Sequence, residues 1–227
     1  MRLTDRQSIQ NALGNIPTDD LNTAVEDAID AATDELSAWI RTEFDQQARQ
    51  DDYMVDYRRL LQYERTINLK LTQGFVNASP AITVVAARNA TDLNDPTAVT
   101  DITANCDIDY EKGVISFSRE VQVIGVDWDL RGTTWQAVGA SGNIFFRVSY
   151  TAGFADDGTT YTGIPDWLKR AASLKVRIML DQHPVFRQNM SATDGVLLQQ
   201  QFSRIMDKRI RYTPRARTPD TTRKING

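Results

Sequence analysis

The amino-acid sequence predicts an α+β fold: a long N-terminal amphipathic helix and two C-terminal helices packed together, an antiparallel β module inserted between them, and an extended basic C-terminal arm. Three observations carry this reading. Apolar residues recur every three or four positions near the start and again near the end, whereas the middle of the chain alternates with a period of two. The 227 residues are 41% hydrophobic and 25% charged, an ordinary globular balance in a chain long enough to bury a core without disulfides or metals. Cys106 is the single cysteine and His183 the single histidine, so neither an internal disulfide nor a Cys/His zinc site is available.

The elements follow in order. Residues 1–17 carry a weak apolar beat (Ile9, Leu13, Ile16) that fits a short helix or an arm. Thr18 or Asp19 can cap a helix start with its side-chain oxygen. Leu21, Val25, Ala28, Ala32, Leu36 and Trp39 then form one stripe, and Phe44 widens it, so the helix is expected over 19–48 with neither Pro nor Gly to interrupt it. A β module is expected over 64–154. Ile67, Leu69 and Leu71 alternate with polar neighbours, as do Ile82, Val84 and Ala86. Ile108 and Tyr110 lead into a turn at Gly113, and Ile115 and Phe117 lead out of it. Strands are expected at Val121–Leu130 and Thr133–Val138. The final strand places Ile144, Phe146, Val148 and Tyr150 on one face. Pro165 opens a helix over 165–182 at a position where its missing N–H costs nothing. A further helix is expected over 193–211 on Leu198, Phe202, Ile205 and Met206. The expected organisation is a single α+β domain over 18–211 and an arm over 212–227.

Charge is sorted along the chain. From Lys208 to Gly227 there are seven basic residues against Asp220 alone, whereas residues 1–57 hold thirteen acids and four arginines. Such polarity serves contact with something else. A duplex-reading role is disfavoured, because the rest of the chain is net negative and lacks a basic helix face. No run approaches a membrane span, and Met1-Arg2-Leu3-Thr4-Asp5 lacks the apolar core of a signal peptide, so a cytosolic protein is expected.

Residues that could carry chemistry are few. The phosphate loop, the dinucleotide fingerprint, HExxH and GxSxG are all absent. Gly139-Ala140-Ser141-Gly142 reads as a hairpin turn. Asp107 with Asp109, and Asp127 with Asp129, each place two carboxylates on one strand face. They could hold a divalent cation as a metal-dependent hydrolase would, but alternation makes them the wet sides of strands whose Ile108 and Trp128 point inward. His183 suits a helix end. Cys106, in acidic company, is expected to be a dull nucleophile. An exposed cluster of Trp128, Trp135 and Tyr161 would suit a β-rich adhesion or baseplate module that binds host glycan.

The remaining signal is an ordered set of short motifs. Pro80-Ala81-Ile82-Thr83-Val84 is followed by Asp109-Tyr110-Glu111-Lys112-Gly113-Val114-Ile115-Ser116-Phe117. Then come Val148-Ser149-Tyr150-Thr151-Ala152-Gly153-Phe154 and Ile164-Pro165-Asp166-Trp167-Leu168-Lys169-Arg170-Ala171. In order and spacing this resembles the head–tail connector (adaptor, or head-completion) proteins of tailed bacteriophages, with Pro80, Asp109, Tyr110, Gly113, Tyr150, Gly153 and Pro165 as structural positions. Two departures are extra strands over about 119–143 and the long basic tail.

The resemblance implies a homo-oligomeric ring of roughly twelve copies beneath the portal protein. It would join capsid to tail in the virion neck, extend the DNA channel, and present a surface to the next neck or tail protein. Assembly would take place in the bacterial host cytoplasm, without a membrane. It implies no enzyme and no cofactor, and DNA that passes through the lumen during ejection without specific binding. In that frame Glu26, Asp27, Asp30, Asp34 and Glu35 are candidates to line the channel, where carboxylates repel phosphate. Arg209, Arg211, Arg215, Arg217, Arg223 and Lys224 are candidates for an arm that docks on the portal.

Overall fold

A computed structural model describes residues 1–13, 19–56, 66–118, 128–129, 136–137, 143–183, 186, 192–212 and 222–224. Among these residues the helices are α1 (Arg6–Leu13), α2 (Asp19–Ile40), α3 (Asp166–Asp181) and α4 (Ala192–Tyr212). The strands are β1 (Gln47–Asp56), β2 (Thr66–Lys70), β3 (Thr83–Ala87), β4 (Thr100–Asp101), β5 (Cys106–Asp109), β6 (Val114–Ser118), β7 (Trp128–Asp129), β8 (Gln136–Ala137), β9 (Asn143–Ala152) and β10 (Thr222–Lys224). The fold is mixed α+β with antiparallel sheets. The chain divides into a helical unit, Met1–Gln46 with Phe154–Thr213, and a β unit, Gln47–Gly153 with Pro214–Gly227.

In the helical unit, α2 packs on α3, α3 on α4, and α1 against both α2 and α3. Ile9, Val25, Ala28, Ile29, Ala32, Val176, Leu180 and Phe186 form its core. The stripe read from the sequence explains Val25, Ala28, Ala32 and Leu36, which are buried, but not Trp39, which is 56% exposed. α2 also stops at Ile40 instead of running to 48. Arg41 turns into the left-handed region (φ 55°). The Thr42 amide then donates to the Ser37 carbonyl at 3.2 Å, and the Ser37 hydroxyl donates to the Thr42 carbonyl at 2.8 Å. This caps the helix and sends Phe44 to rings at Phe154 and Tyr161, with centroids 6.0 and 6.2 Å away. Pro165 stands at the N-cap of α3 (ψ 139°), one residue before the first helical turn.

The β unit contains a five-stranded sheet ordered β10-β1-β9-β3-β4, a three-stranded sheet ordered β2-β6-β5, and the β7–β8 ribbon. β1 and β9 pair over their full length, from Gln47 opposite Ala152 to Asp56 opposite Asn143. β9 alternates as the sequence requires: Ile144, Phe146, Val148, Tyr150 and Ala152 are buried. They meet Ile67, Leu69, Ile115 and Phe117 of the three-stranded sheet in one core, with the Phe117 and Phe146 rings 5.1 Å apart. Side chains of this size contribute about 1.5–3 kcal/mol each on burial.

The β unit begins earlier than position 64, because β1 is a strand that its polar sequence hides. Within the arm expected over 212–227, Thr222–Lys224 pairs with β1 as an edge strand, Arg223 opposite Met54. Of the strands expected over 121–138, only β7 and β8 fall among the described residues; the rest of that stretch and the Gly139–Gly142 turn lie outside them.

Gly113 closes the β5–β6 hairpin at φ +62°, and a Cβ there would overlap the Gln73 carbonyl oxygen. Gly113→Ala is expected to cost about 2 kcal/mol or more, since left-handed strain and overlap act together. Urea unfolding measures this, and an unchanged midpoint would contradict the hairpin geometry.

Candidate functional site

Two of the motif segments, 109–113 and 151–153, bond to one short segment of the β unit, 71–77. The Leu71 amide donates to the Gly113 carbonyl at 2.8 Å, Phe75 to Glu111 at 3.0 Å and Val76 to Tyr110 at 2.7 Å. From the other side, Asn77 donates to Thr151 at 2.8 Å and the Gly153 amide donates to Phe75 at 3.0 Å. Gly153 is in the left-handed region (φ 94°), which lets β9 end at this joint. The Asp109 carboxylate accepts from the Lys112 backbone amide at 3.0 Å and from Lys112 Nζ at 2.6 Å, closing the turn from within. Those bonds from Lys112 hold the Asp109 carboxyl below its usual range against the opposing effect of burial, which is the largest single influence on it. Ser79–Pro80 is a cis peptide leading from the joint towards β3.

Behind the joint are two buried carboxylates that sequence reading passed over. Asp51 accepts from the Thr72 amide and hydroxyl, both at 2.7 Å, from the Tyr150 hydroxyl at 3.0 Å and from the Tyr53 hydroxyl at 3.3 Å. Burial first, and the Asp51 charge second, push both tyrosine hydroxyls well above their ordinary pKa. Asp52 points to the opposite face and receives a two-pronged bond from Arg147 at 2.8 and 2.9 Å. The same guanidinium donates to the Leu93 carbonyl and the Asn94 side chain, both at 2.9 Å. The adjacent Asp-Asp before an aromatic–apolar run was the only sequence signal, and a solvated turn has the same signature.

The acidic face of α2 is less bare than its sequence suggests. Arg2 forks onto Asp30 at 2.7 and 2.9 Å and reaches Glu26 at 3.8 Å, while Arg6 approaches Glu26 at 3.5 Å. Lys175 of α3 pairs with Glu35. The hydrogen bond from Arg2 is the largest influence holding the Asp30 carboxyl below its usual range. Asp27 and Asp34 remain exposed.

Among the basic candidates, Arg209 and Arg211 lie on the last turn of α4, and Arg223 and Lys224 lie on β10. Arg215 and Arg217 lie outside the described residues.

The residues weighed for catalysis or ligand binding are described only in part. Asp107 is exposed while Ile108 packs on the core. Asp127 lies outside the described residues, as does Trp135. Among the described residues no group of three or more His, Cys, Asp or Glu could hold a metal, and no helix is long and apolar enough to cross a membrane. Tyr161 is 7% exposed and donates to Asp45 at 2.7 Å, so it is a core ring and does not belong to an open glycan platform. His183 sits just past α3, its amide donating to the Leu180 carbonyl at 2.9 Å and its ring against Phe186. Burial, with a smaller contribution from Asp101, pushes the Cys106 thiol up to about 11.

No family model matches the chain, and no curated protein matches it. Among solved structures it is similar to a chain from the neck of an empty GTA particle, computed with C6 symmetry. The two are 13% identical with a TM-score of 0.35, over 78% of this chain and 76% of that one. A likeness this slight does not bear on function.

Two outcomes test the site. Asp51→Ala removes the carboxylate acceptor of the Thr72 amide and of the Thr72 and Tyr150 hydroxyls, while the Tyr53 hydroxyl keeps the Lys70 carbonyl at 2.6 Å, and is expected to cost about 3 kcal/mol in urea unfolding; Asp107→Ala, on an exposed face, is expected to stay within about 0.5 kcal/mol. Cys106 carries roughly a hundredfold less thiolate than an ordinary cysteine near pH 8. Its alkylation in the folded protein is therefore expected to be slower than in urea by a similar factor, and equal rates would contradict the burial.

Proposed function

We propose that this chain is a structural protein of a phage-type virion neck, which assembles as a ring beneath a portal and joins the capsid to the next neck or tail protein. One observation carries the reading. Motifs far apart in sequence, 109–113 and 150–153, form a single structural joint around 71–77. The connector-like pattern is therefore a coherent piece of architecture, since a chance string of turns would have no reason to converge. Every motif residue in the joint has a backbone or packing task, and that suits a protein which works by shape and performs no bond-making.

The charge sorting fits this role. In the virion the ring would enclose the DNA path without gripping it, and no cofactor would take part. Repulsion of DNA by α2 would rest on Asp27 and Asp34, because Glu26, Asp30 and Glu35 already have cationic partners within the helical unit. The basic segment after α4 would dock on an acidic portal surface. Many weak arms around a ring give strong holding through effective concentration.

Since Thr222–Lys224 completes a sheet edge, whole-tail deletion is a poor test. Arg215→Glu with Arg217→Glu keeps β10 and reverses the charge. This variant is expected to unfold at the same urea concentration as the parent, yet to co-sediment with a portal ring at least about tenfold more weakly. Equal portal binding would remove the arm from the docking role.

A further inference from the structure

A strand at the rim of a sheet presents unpaired N–H and C=O groups that a further strand can join, and natural sheets carry devices that prevent this. The rims of the five-stranded sheet are β10 and β4, and those of the three-stranded sheet are β2 and β5. β4 is only two residues long, Thr100–Asp101. β5 carries Asp107 and Asp109 within four residues, and β2 ends in the exposed Lys70. Each of these rims is blunted by shortness or by charge. β1 is different. It runs for ten residues, and Tyr53, Met54 and Val55 within it are consecutive and apolar. Without β10 it would be the rim of its sheet.

β10 lies along that apolar run and along no other part of β1. Tyr53 stands opposite Lys224, Met54 opposite Arg223 and Val55 opposite Thr222. Residues 47–52, which hold two glutamines, an arginine and two aspartates, have no partner in β10. The tail therefore covers the stretch of β1 that most needs a cover. It also brings Arg223 and Lys224 to the new rim, and cations on an edge strand deter a further strand.

We infer that the 53–55 stretch of β1 is a strand-accepting edge whose partner is β1 of a second copy, and that Thr222–Lys224 is the cover that keeps the two copies apart. The run is symmetric about Met54. Antiparallel pairing of two copies sets Met54 opposite Met54 and Tyr53 opposite Val55, an aromatic–β-branched pair of the favourable kind. Asp52, brought opposite Asp56 of the other copy, already carries the Arg147 fork, so two bare carboxylates do not face each other. The same patch is used by both copies, so the contact is isologous and ends at a pair. It is separate from any contact that closes a ring. Pairing is conditional on the tail: a copy with β10 in place is closed to it, and a copy whose tail is drawn onto another surface is open.

Thiol crosslinking of Met54→Cys with a short bis-maleimide tests this, with Cys106→Ala removing the native thiol. The full chain is expected to stay single on a denaturing gel. The same chain ended at Thr221 is expected to give a crosslinked dimer. A second variant keeps the full length and carries Thr222→Pro with Arg223→Pro. Amides of consecutive strand residues point opposite ways, so one of the two amides removed faces β1, and its loss lifts the cover without truncation. A dimer in either variant and not in the full chain supports the inference. Absence of the dimer from both variants, or its appearance in the full chain to the same extent, overturns it. Neither result touches the neck-ring reading, which ring formation tests.

Discussion

Asp51 and Asp52 are consecutive, so on a strand they must point to opposite faces, and both are nearly sealed from water. A buried carboxylate survives only with a full set of donors. Asp51 finds them in Thr72, Tyr53 and Tyr150 on the inner side, and Asp52 finds the Arg147 fork on the outer side. A slip of β1 by one residue against β9 would send each charge to the wrong face and leave both without those partners. Apolar alternation alone already resists such a slip, and the pair of charges makes it far more costly. With β1 fixed, Tyr150 is fixed. The 71–77 joint then has a set position, and with it the β5–β6 turn and the end of β9.

This arrangement concentrates rigidity in the β unit. The joint uses backbone hydrogen bonds and two left-handed glycines, which leave little freedom to drift. The helical unit has a different character. Its core relies on small residues, Ala28 and Ala32 among them, that bring α2 close to α3. Its outer faces carry large apolar side chains and charges that the unit itself does not cover.

How much of this could be read from the sequence depended on whether one physical signal dominated a segment. β9 and α3 were legible because apolar periodicity there has no competitor, and Gly113 and Pro165 were legible because backbone geometry restricts the residue. The end of α2 was not legible. No breaker residue marks Ile40, and the cap depends on Arg41 adopting an unusual conformation and on Ser37 and Thr42 bonding each other. β1 was hidden because its inward residues include Asp51, so its alternation is invisible to a hydropathy reading. The partners of Glu26, Asp30 and Glu35 were hidden for another reason. Arg2, Arg6 and Lys175 are distant in sequence, and a count of acids along one helix cannot see them.

The central claim is that the chain acts as a shaped part within a larger assembly and makes no bonds. Electron microscopy of the purified protein, alone and mixed with a portal ring, tests it most directly. The account expects closed rings of this chain, formed alone or seated coaxially on the portal. Particles that remain single beside the portal at every concentration would contradict it.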